Sequence, residues 1–286
     1  MKCMSLSLQG LTIWKESKYG RQELVTDVSL EIPKGKIVGI VGESGSGKSL
    51  TMKSILGILP ENLGNSYSSF QYKGQVVDLG QSLPIAMIFQ DPMTSLNPLR
   101  TIGFHLEEVL ARFQPGLAKD ERERTILSML HRVGIANPEE RLHQFPFEFS
   151  GGMRQRIMIA MALLAKPEVL IADEPTTALD VTIQAQILAL LKKLQESLDL
   201  TVVIVSHDFG VIAGLCDSVV VMRQGQVVEQ GTVEDIFYRP LHFYTQSLLQ
   251  AAQLDVSVDS EAEEPRQTEL VAVSETHFVR RELTHG

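Results

Sequence analysis

The stretch Gly42 to Ser49, with the sequence GESGSGKS, decides the fold of this chain. It matches the phosphate-binding pattern G-x-x-x-x-G-K-[ST], which places a glycine-rich turn between a strand and a helix. The apolar run KIVGIV, residues 36–41, precedes it, and the helix-like run LTMKSILGIL follows it. This flanking pattern favours a phosphate-binding loop over a chance glycine turn beside a lysine.

Each residue type in this loop has a chemical reason for its place. Glycines let the backbone turn tightly and bring its N–H groups against phosphate oxygens, and the following helix directs its positive N-terminal dipole at the same anion. Lys48 is placed to reach the β- and γ-phosphates, and Ser49 is placed to bind Mg²⁺. The residues predicted to bind nucleotide here are Gly42, Glu43, Ser44, Gly45, Ser46, Gly47, Lys48 and Ser49.

Composition indicates an ordinary globular protein. The chain has 286 residues, enough for one large α/β domain with an insertion or for two small domains. Hydrophobic residues make up 44% and charged residues 21%, which argues against disorder, and the formal net charge of -9 gives no support for a nucleic-acid-binding surface. Cys3 and Cys216 are the only cysteines, too few for a disulfide framework, which fits a reducing cytoplasm.

No apolar run approaches the roughly 18 residues that a membrane-spanning helix needs. The longest candidate, Ile157 to Ala165, is short and is flanked by Arg156 and Lys166. The N-terminal MKCMSLSLQG has no sustained apolar segment after its charge, so it does not resemble a secretory signal. We therefore expect any membrane role to depend on a partner protein.

Hydrophobic periodicity predicts an antiparallel sheet, a parallel sheet and a helical insertion. Alternating runs predict strands at Met4 to Gln9 and Leu24 to Ile32, and helix-like segments without strand signal fill residues 103–144. Buried strands that alternate with helices predict the parallel sheet. The predicted parts are residues 1–90 for the N-terminal core with the antiparallel sheet, 91–165 for the helical part, 166–253 for the C-terminal core and 254–286 for a flexible acidic tail.

Polar side chains end three of the predicted buried strands. Asp173 and Glu174 follow the run VLIA; beside a phosphate loop, one such carboxylate holds Mg²⁺ and its neighbour polarises the attacking water. Without a phosphate loop, an exposed acidic turn would be the better interpretation. Gln90 and His207 end two further strands, and ligands of parallel sheets bind at the carboxyl ends. We therefore expect these side chains near one phosphate. Tyr19 is a candidate for stacking on adenine, although a plain loop aromatic is equally consistent.

Six motifs in one order resemble the nucleotide-binding domain of an ATP-binding-cassette (ABC) protein, from Walker A through the Q-loop, signature, Walker B and D-loop to the switch histidine. In chain order they are GESGSGKS, Gln90, FSGGM, VLIADEP, Ala178-Leu179-Asp180 and Ser206-His207. The resemblance covers about Leu6 to Ala252. It implies an α/β P-loop NTPase fold with an antiparallel β subdomain and a helical insertion.

The resemblance also implies an ATP hydrolase that uses ATP and Mg²⁺. Glu174 would be the general base, His207 would contact the γ-phosphate, and Gln90 would link the metal and the attacking water to a transport partner. The signature residues would close on ATP held by a second ATPase subunit, so that two chains sandwich two nucleotides. The implied nucleotide ligands outside the loop are Tyr19, Gln90, Ser150, Gly151, Gly152, Asp173 and Asp180, and the implied Mg²⁺ ligands are Ser49, Gln90 and Asp173.

Several stretches are similar to ATPases of oligopeptide, dipeptide and nickel importers, among them FQDPMTSLNP, FEFSGGMRQR and HFYTQSLLQAA. Met153 stands where many family members have glutamine and cannot replace the amide's hydrogen bonds, but the Ser150 hydroxyl and the glycine amides keep their phosphate contacts. Oligopeptide-type ATPases commonly carry a cysteine cluster after this ending. The tail has no cysteine, so we expect no iron–sulfur cluster, which slightly favours a nickel or metallophore importer.

The resemblance implies a peripheral protein at the cytoplasmic face of the cell membrane. Its partners would be a second ATPase subunit, identical or different, transmembrane permease subunits and, indirectly, an extracytoplasmic solute-binding protein, with no nucleic acid. The solute stays open between peptides and nickel or metal chelates. The alternatives are a soluble ABC ATPase that acts as a nucleotide-dependent switch and an exporter ATPase.

Overall fold

The computed structural model describes residues 4–18, 20–90, 95–177, 179–254 and 268–282. The chain divides into two compact units. The first unit combines Met1–Ser82 with Val203–Gly286, and the second is Leu83–Val202. The finer four-part division drawn from the sequence stays a prediction.

The first unit opens with an antiparallel sheet, as predicted. Its strands are β1 (Met4–Ser17), β2 (Gly20–Pro33), β4 (Leu63–Ser66), β5 (Ser69–Tyr72) and β6 (Gln75–Val76). The order is β2-β1-β5-β6, with β4 also paired to β1. Leu8 and Leu11 of β1 face Leu30 and Val28 of β2, and all four side chains are buried. The alternation of apolar residues thus places one face of both long strands in the core.

A second group of strands in this unit carries the phosphate-binding stretch. Its members are β3 (Ile37–Val41), β9 (Thr201–Ser206, of which the last four residues belong here), β10 (Ser218–Arg223), β11 (Gln226–Thr232), β12 (Thr268–Ala272) and β13 (Phe278–Glu282), in the order β12-β13-β11-β10-β3-β9. Strand β3 is buried along its whole length and runs parallel to β10, which forms an antiparallel hairpin with β11. The helices are α1 (Lys48–Ile55), α7 (Phe209–Leu215), α8 (Val233–Tyr238) and α9 (Phe243–Leu254).

The expectation of a flexible tail after residue 254 is wrong for residues 268–282. Strands β12 and β13 form an antiparallel hairpin, and β13 pairs with β11. Val279 and Arg280 are buried there, and Arg280 Nε donates a 2.7 Å hydrogen bond to the Val227 carbonyl. We call β12 and β13 the C-terminal hairpin. The rest of the expected tail lies outside the described residues.

The second unit contains β7 (Ile85–Ile88) and β8 (Val169–Asp173), which pair in parallel. Its helices are α2 (Ile102–Phe113), α3 (Lys119–Arg132), α4 (Pro138–Arg141), α5 (Gly151–Leu164) and α6 (Val181–Leu198), with a 3₁₀ turn at Pro146–Glu148. Helix α5 packs against α2, α3 and α6. The predicted helical insertion across residues 103–144 is therefore confirmed.

Candidate nucleotide site

The loop from Gly42 to Ser49 connects β3 to α1 in the first unit, as the sequence predicts. Lys48 is buried, with 4% of its surface exposed, and its side chain turns back over the loop. Its Nζ donates to the carbonyl oxygens of Gly42 and Glu43, both at 2.7 Å, and contacts Ser46 Oγ at 3.3 Å. The ammonium group is therefore held at the centre of the loop, where a phosphate needs a cation.

Two glycines show why the loop adopts this path. Gly42 has φ +155° and Gly45 has φ +84°, backbone conformations that residues other than glycine rarely adopt. A Cβ atom on Gly42 would lie 2.0 Å from the carbonyl oxygen of Met222, whereas one on Gly45 would have no neighbour within 4 Å. The backbone is thus packed against β10 at its first glycine and open at its second. Ser44 and Gly45 are exposed, so the open side of the turn is accessible to a bound group.

Two residues that were not singled out from the sequence, Gly225 and Tyr244, hold this loop from outside. Gly225, in the turn between β10 and β11, donates its N–H to the Ser46 carbonyl at 3.1 Å and accepts from Thr26 N at 2.8 Å. The hydroxyl oxygen of Tyr244 on α9 accepts from the Glu43 N–H at 3.1 Å. The contact of Tyr244 with the loop spans 201 positions and has no local signal in the sequence.

His207 follows β9 directly, as predicted, and its side chain is exposed. Asp208 caps the next helix, α7, by accepting from the backbone N–H groups of Gly210 at 2.7 Å and Val211 at 3.3 Å. The Ser206 hydroxyl in turn accepts from Asp208 N at 3.0 Å. The backbone on both sides of His207 is therefore fixed by hydrogen bonds at the carboxyl end of the strand.

In the second unit, Asp173 and Glu174 lie where β8 ends. Asp173 is buried and Glu174 is half-buried, with a left-handed backbone at φ +47°. Glu174 Oε2 accepts from Gln90 Nε2 at 2.8 Å and from Thr177 Oγ1 at 2.9 Å. Strands β7 and β8 are parallel, with Ile88 opposite Ala172, so their carboxyl ends meet. The structure thus brings Gln90 and Glu174 together as the strand ends predict, and it adds Thr177.

The signature residues and Asp180 lie together at the starts of two helices of this unit. Ser150 Oγ accepts from Met153 N at 3.4 Å and caps α5, while Asp180 Oδ1 accepts from Ile183 N at 2.9 Å and caps α6. A Cβ atom on Gly151 would lie 3.3 Å from Leu179, and one on Gly152 would lie 2.5 Å from Ile183. Glycines at these positions therefore let the two helix starts approach closely.

The oxygen ligands predicted for Mg²⁺ are present in each unit. Ser49 is half-buried at the start of α1, Asp173 is the last residue of β8, and Gln90 lies two residues after β7. Hydroxyl, carboxylate and amide oxygens are the ligand types that this ion accepts, so the donor set fits it. Tyr19, the predicted adenine contact, lies outside the described residues.

Comparison with known proteins gives the family. A family model described as "ABC transporter" matches residues 25–177. The chain is 48% identical over 258 residues to the dipeptide transport ATP-binding protein DppD of Bacillus subtilis, covering 85% of this chain and 75% of that protein. It is 49% identical over 234 residues to the oligopeptide transport ATP-binding protein AmiE of Streptococcus pneumoniae, covering 79% and 66%.

Solved structures agree with this result. CbiO1 of Clostridium perfringens, described as part of the ABC transporter complex cbiONQ, has a TM-score of 0.69 at 27% identity, over 83% of this chain and 92% of that one. The ATP-binding cassette MJ0796, a dimer bound to ADP and Pi, has a TM-score of 0.69 at 26% identity, over 80% and 98%. Within the described residues, the structure contains no helix of the length and apolar character needed to cross a membrane. The chain therefore belongs to the ABC transporter family and carries its ATP-hydrolysing nucleotide-binding domain.

Proposed function

We propose that this chain hydrolyses ATP to drive the uptake of di- or oligopeptides through a separate membrane permease. The observation that carries the proposal is the contact between Gln90 and Glu174, because a glutamate held at a strand end by an amide can orient and activate a water. The relatives are named for dipeptide and oligopeptide transport. Those names favour peptides over the nickel or metal chelates that the sequence left open.

In this proposal the loop from Gly42 to Ser49 holds the β- and γ-phosphates of ATP. Lys48 exchanges its contacts with the loop carbonyls for phosphate oxygens, which it can do with little movement because its Nζ is already held there. Ser49, Asp173 and Gln90 hold Mg²⁺, which neutralises phosphate charge when it is bound. Tyr19 is proposed to stack on adenine.

Glu174 then accepts the proton of the water that attacks the terminal phosphate. Gln90 and Thr177 both donate a hydrogen bond to Oε2 of Glu174. These two bonds restrict rotation of the Glu174 side chain, so the base is oriented before the substrate arrives. His207 is proposed to donate a hydrogen bond to the terminal phosphate and to hold the geometry of attack.

Transport also requires partner proteins in this proposal. We propose that Ser150, Gly151, Gly152 and Asp180 face the ATP of a second ATPase subunit, because the start of α5, capped by the neutral Ser150 hydroxyl and followed by two glycines, is a helix N-terminus that favours an anion. The dimeric MJ0796 cassette supports this arrangement. Permease subunits at the membrane, and indirectly a solute-binding protein outside the cell, would complete the importer, with this chain at the cytoplasmic face.

The biochemical test compares two charge-removing variants. Glu174→Gln should keep ATP binding but lower kcat by at least about 100-fold, the lower range for loss of a general base. Lys48→Ala should weaken ATP binding itself. Glu196→Gln and Lys192→Ala, which change exposed residues of α6, are the matched controls and should resemble the wild type. Hydrolysis near the wild-type rate in Glu174→Gln would refute the proposed base.

The solute is tested by uptake in cells. Labelled dipeptide, labelled oligopeptide and labelled nickel, with and without a chelating metallophore, are supplied to cells that carry the wild type or Glu174→Gln. We expect only peptide uptake to fall in the mutant. A fall in nickel uptake alone would assign the chain to a metal importer. If no uptake changes, the import function is wrong, and the export and soluble-switch alternatives return.

A further inference from the structure

The phosphate loop is fixed by a tyrosine from the far end of the chain. Tyr244 lies on α9 and is the largest fully buried side chain of the described residues, with 1% of its surface exposed. Its hydroxyl oxygen accepts the backbone N–H of Glu43, the second residue of the loop, at 3.1 Å. Because Tyr244 takes this N–H, it fixes the orientation of a peptide that lies beside the loop N–H groups available to phosphate.

A buried arginine holds the ring of Tyr244. Arg223 ends β10, and its guanidinium carbon lies 4.9 Å from the centre of the Tyr244 ring and 5.1 Å from that of Phe243. The neighbouring residue is Met222, whose carbonyl packs against Gly42. The same end of β10 therefore supports both the tyrosine and the first glycine of the loop.

The C-terminal hairpin supports the start of α9. Glu229 on β11 is fully buried and accepts from the backbone N–H groups of Leu241 at 2.8 Å and His242 at 3.1 Å. His277, in the turn of the hairpin, places its Nε2 2.7 Å from Glu229 Oε1. His242 Nδ1 then accepts from the Tyr244 N–H at 3.2 Å. A buried carboxylate depends on its donors, so the hairpin helps to fix the segment that carries Tyr244.

The Tyr244 hydroxyl keeps its proton at neutral pH. Burial raises the pKa of Tyr244 to about 12, partly opposed by the hydrogen bond from the Glu43 N–H. The group therefore acts as a neutral hydrogen-bonding partner at neutral pH, and its effect on the loop is positional.

We propose that Tyr244 is a positioning residue for ATP binding, which orients the Glu43 amide of the phosphate loop and is itself supported by the C-terminal hairpin through Glu229 and His277. This inference rests on the proposed phosphate-binding role of the loop. It adds a part of the nucleotide site that comes from the last fifth of the chain and that is not among the six sequence motifs.

The first test removes only the hydroxyl. In Tyr244→Phe, ATP affinity and the KM for ATP should worsen about threefold to tenfold, because ATP binding must then order the Glu43 peptide that one hydrogen bond held in the wild type, while kcat at saturating ATP changes less than twofold. A purely structural role would instead lower the amount of active protein, which reduces apparent kcat and leaves KM unchanged. Tyr238→Phe makes the same change at a tyrosine that is 80% exposed, and it should match the wild type.

The second test addresses the hairpin. His277→Leu removes the donor to Glu229 and should raise the KM for ATP, whereas His277→Gln retains an N–H donor and should restore it toward the wild-type value. An unchanged KM in His277→Leu would overturn the role of the hairpin, and an unchanged KM in Tyr244→Phe would overturn the role of the tyrosine. Lys48→Ala, measured beside them, separates these failures from failure of the loop assignment, because that variant loses ATP affinity only if the loop binds phosphate.

Discussion

Replacing the first glycine of the phosphate loop by alanine gives a sharp test of how the loop is held. A Cβ atom on Gly42 would lie 2.0 Å from the Met222 carbonyl oxygen, so the two backbones must separate by about 1 Å to reach even a 3 Å contact. Neither backbone can move easily. Strand β10 pairs with β3 on one side and with β11 on the other, and Met222 lies opposite Val227. The substitution therefore strains three paired strands.

The magnitude follows from two separate costs. The backbone of Gly42, at φ +155°, costs an alanine about 1 to 2 kcal/mol, and overpacking against a fixed carbonyl costs about 1 to 3 kcal/mol. We therefore expect Gly42→Ala to lower the free energy of unfolding by about 3 kcal/mol. Gly45→Ala is the matched control, because its φ of +84° carries a similar backbone cost but its Cβ would meet nothing within 4 Å. It should lose only about 1 kcal/mol.

Urea unfolding at neutral pH, followed by circular dichroism, measures both values. The difference between the two variants isolates the contact with Met222, because the backbone cost is common to both. Equal losses in the two variants, or wild-type stability in Gly42→Ala, would refute the packing of the loop against β10.

Two further substitutions test other parts of the fold. In Gly152→Ala, the new Cβ lies 2.5 Å from Ile183 Cγ2, so the free energy of unfolding should fall by about 1 to 2 kcal/mol. Adding Ile183→Ala should restore part of this loss. Urea unfolding of the double-mutant cycle measures the coupling, and strictly additive effects would contradict the contact. Burial alone would raise the pKa of Asp235, but hydrogen bonds from Thr232 and Thr276 outweigh it, so the pKa lies below its usual value. The wild type should therefore be more stable than Asp235→Asn above about pH 4 and lose this advantage as the pH falls through the lowered pKa; a pH-independent difference in unfolding free energy would contradict it.

The parts of the fold that follow from local chemistry could be predicted. The loop between β3 and α1 has a fixed spacing of glycines, lysine and serine, and the cap of α5 at Ser150 precedes an apolar helical run. The run before Asp173 forms β8, which is buried along its whole length as predicted, whereas the run before Gln90 forms a strand, β7, that is only half-buried at three of its four residues. In each case the signal lies within a few residues of the feature that it predicts.

The features that were missed depend on contacts between distant residues. The C-terminal hairpin was predicted as part of a flexible tail because a polar, acidic stretch follows residue 254, yet Arg280 and His277 are buried by partners on β11. Those partners, Val227 and Glu229, lie about fifty residues earlier. Local composition cannot show a charge that is compensated across strands. The contact of Tyr244 with the phosphate loop was missed because the two are 201 positions apart in the chain.

Lys48 and Glu174 share a property that bears on catalysis: each is held by neighbours from its own unit. Lys48 donates to two carbonyls of the loop in which it lies, and the carboxylate of Glu174 accepts from Gln90. Glu174 also keeps a left-handed backbone at φ +47°, a conformation that costs about 1 kcal/mol and persists only where surrounding contacts compensate for it. Its bonds with Gln90 and Thr177 are such contacts. If Glu174 is the base, as proposed, it does not have to be ordered during the reaction, because the cost of its orientation is met when the protein folds.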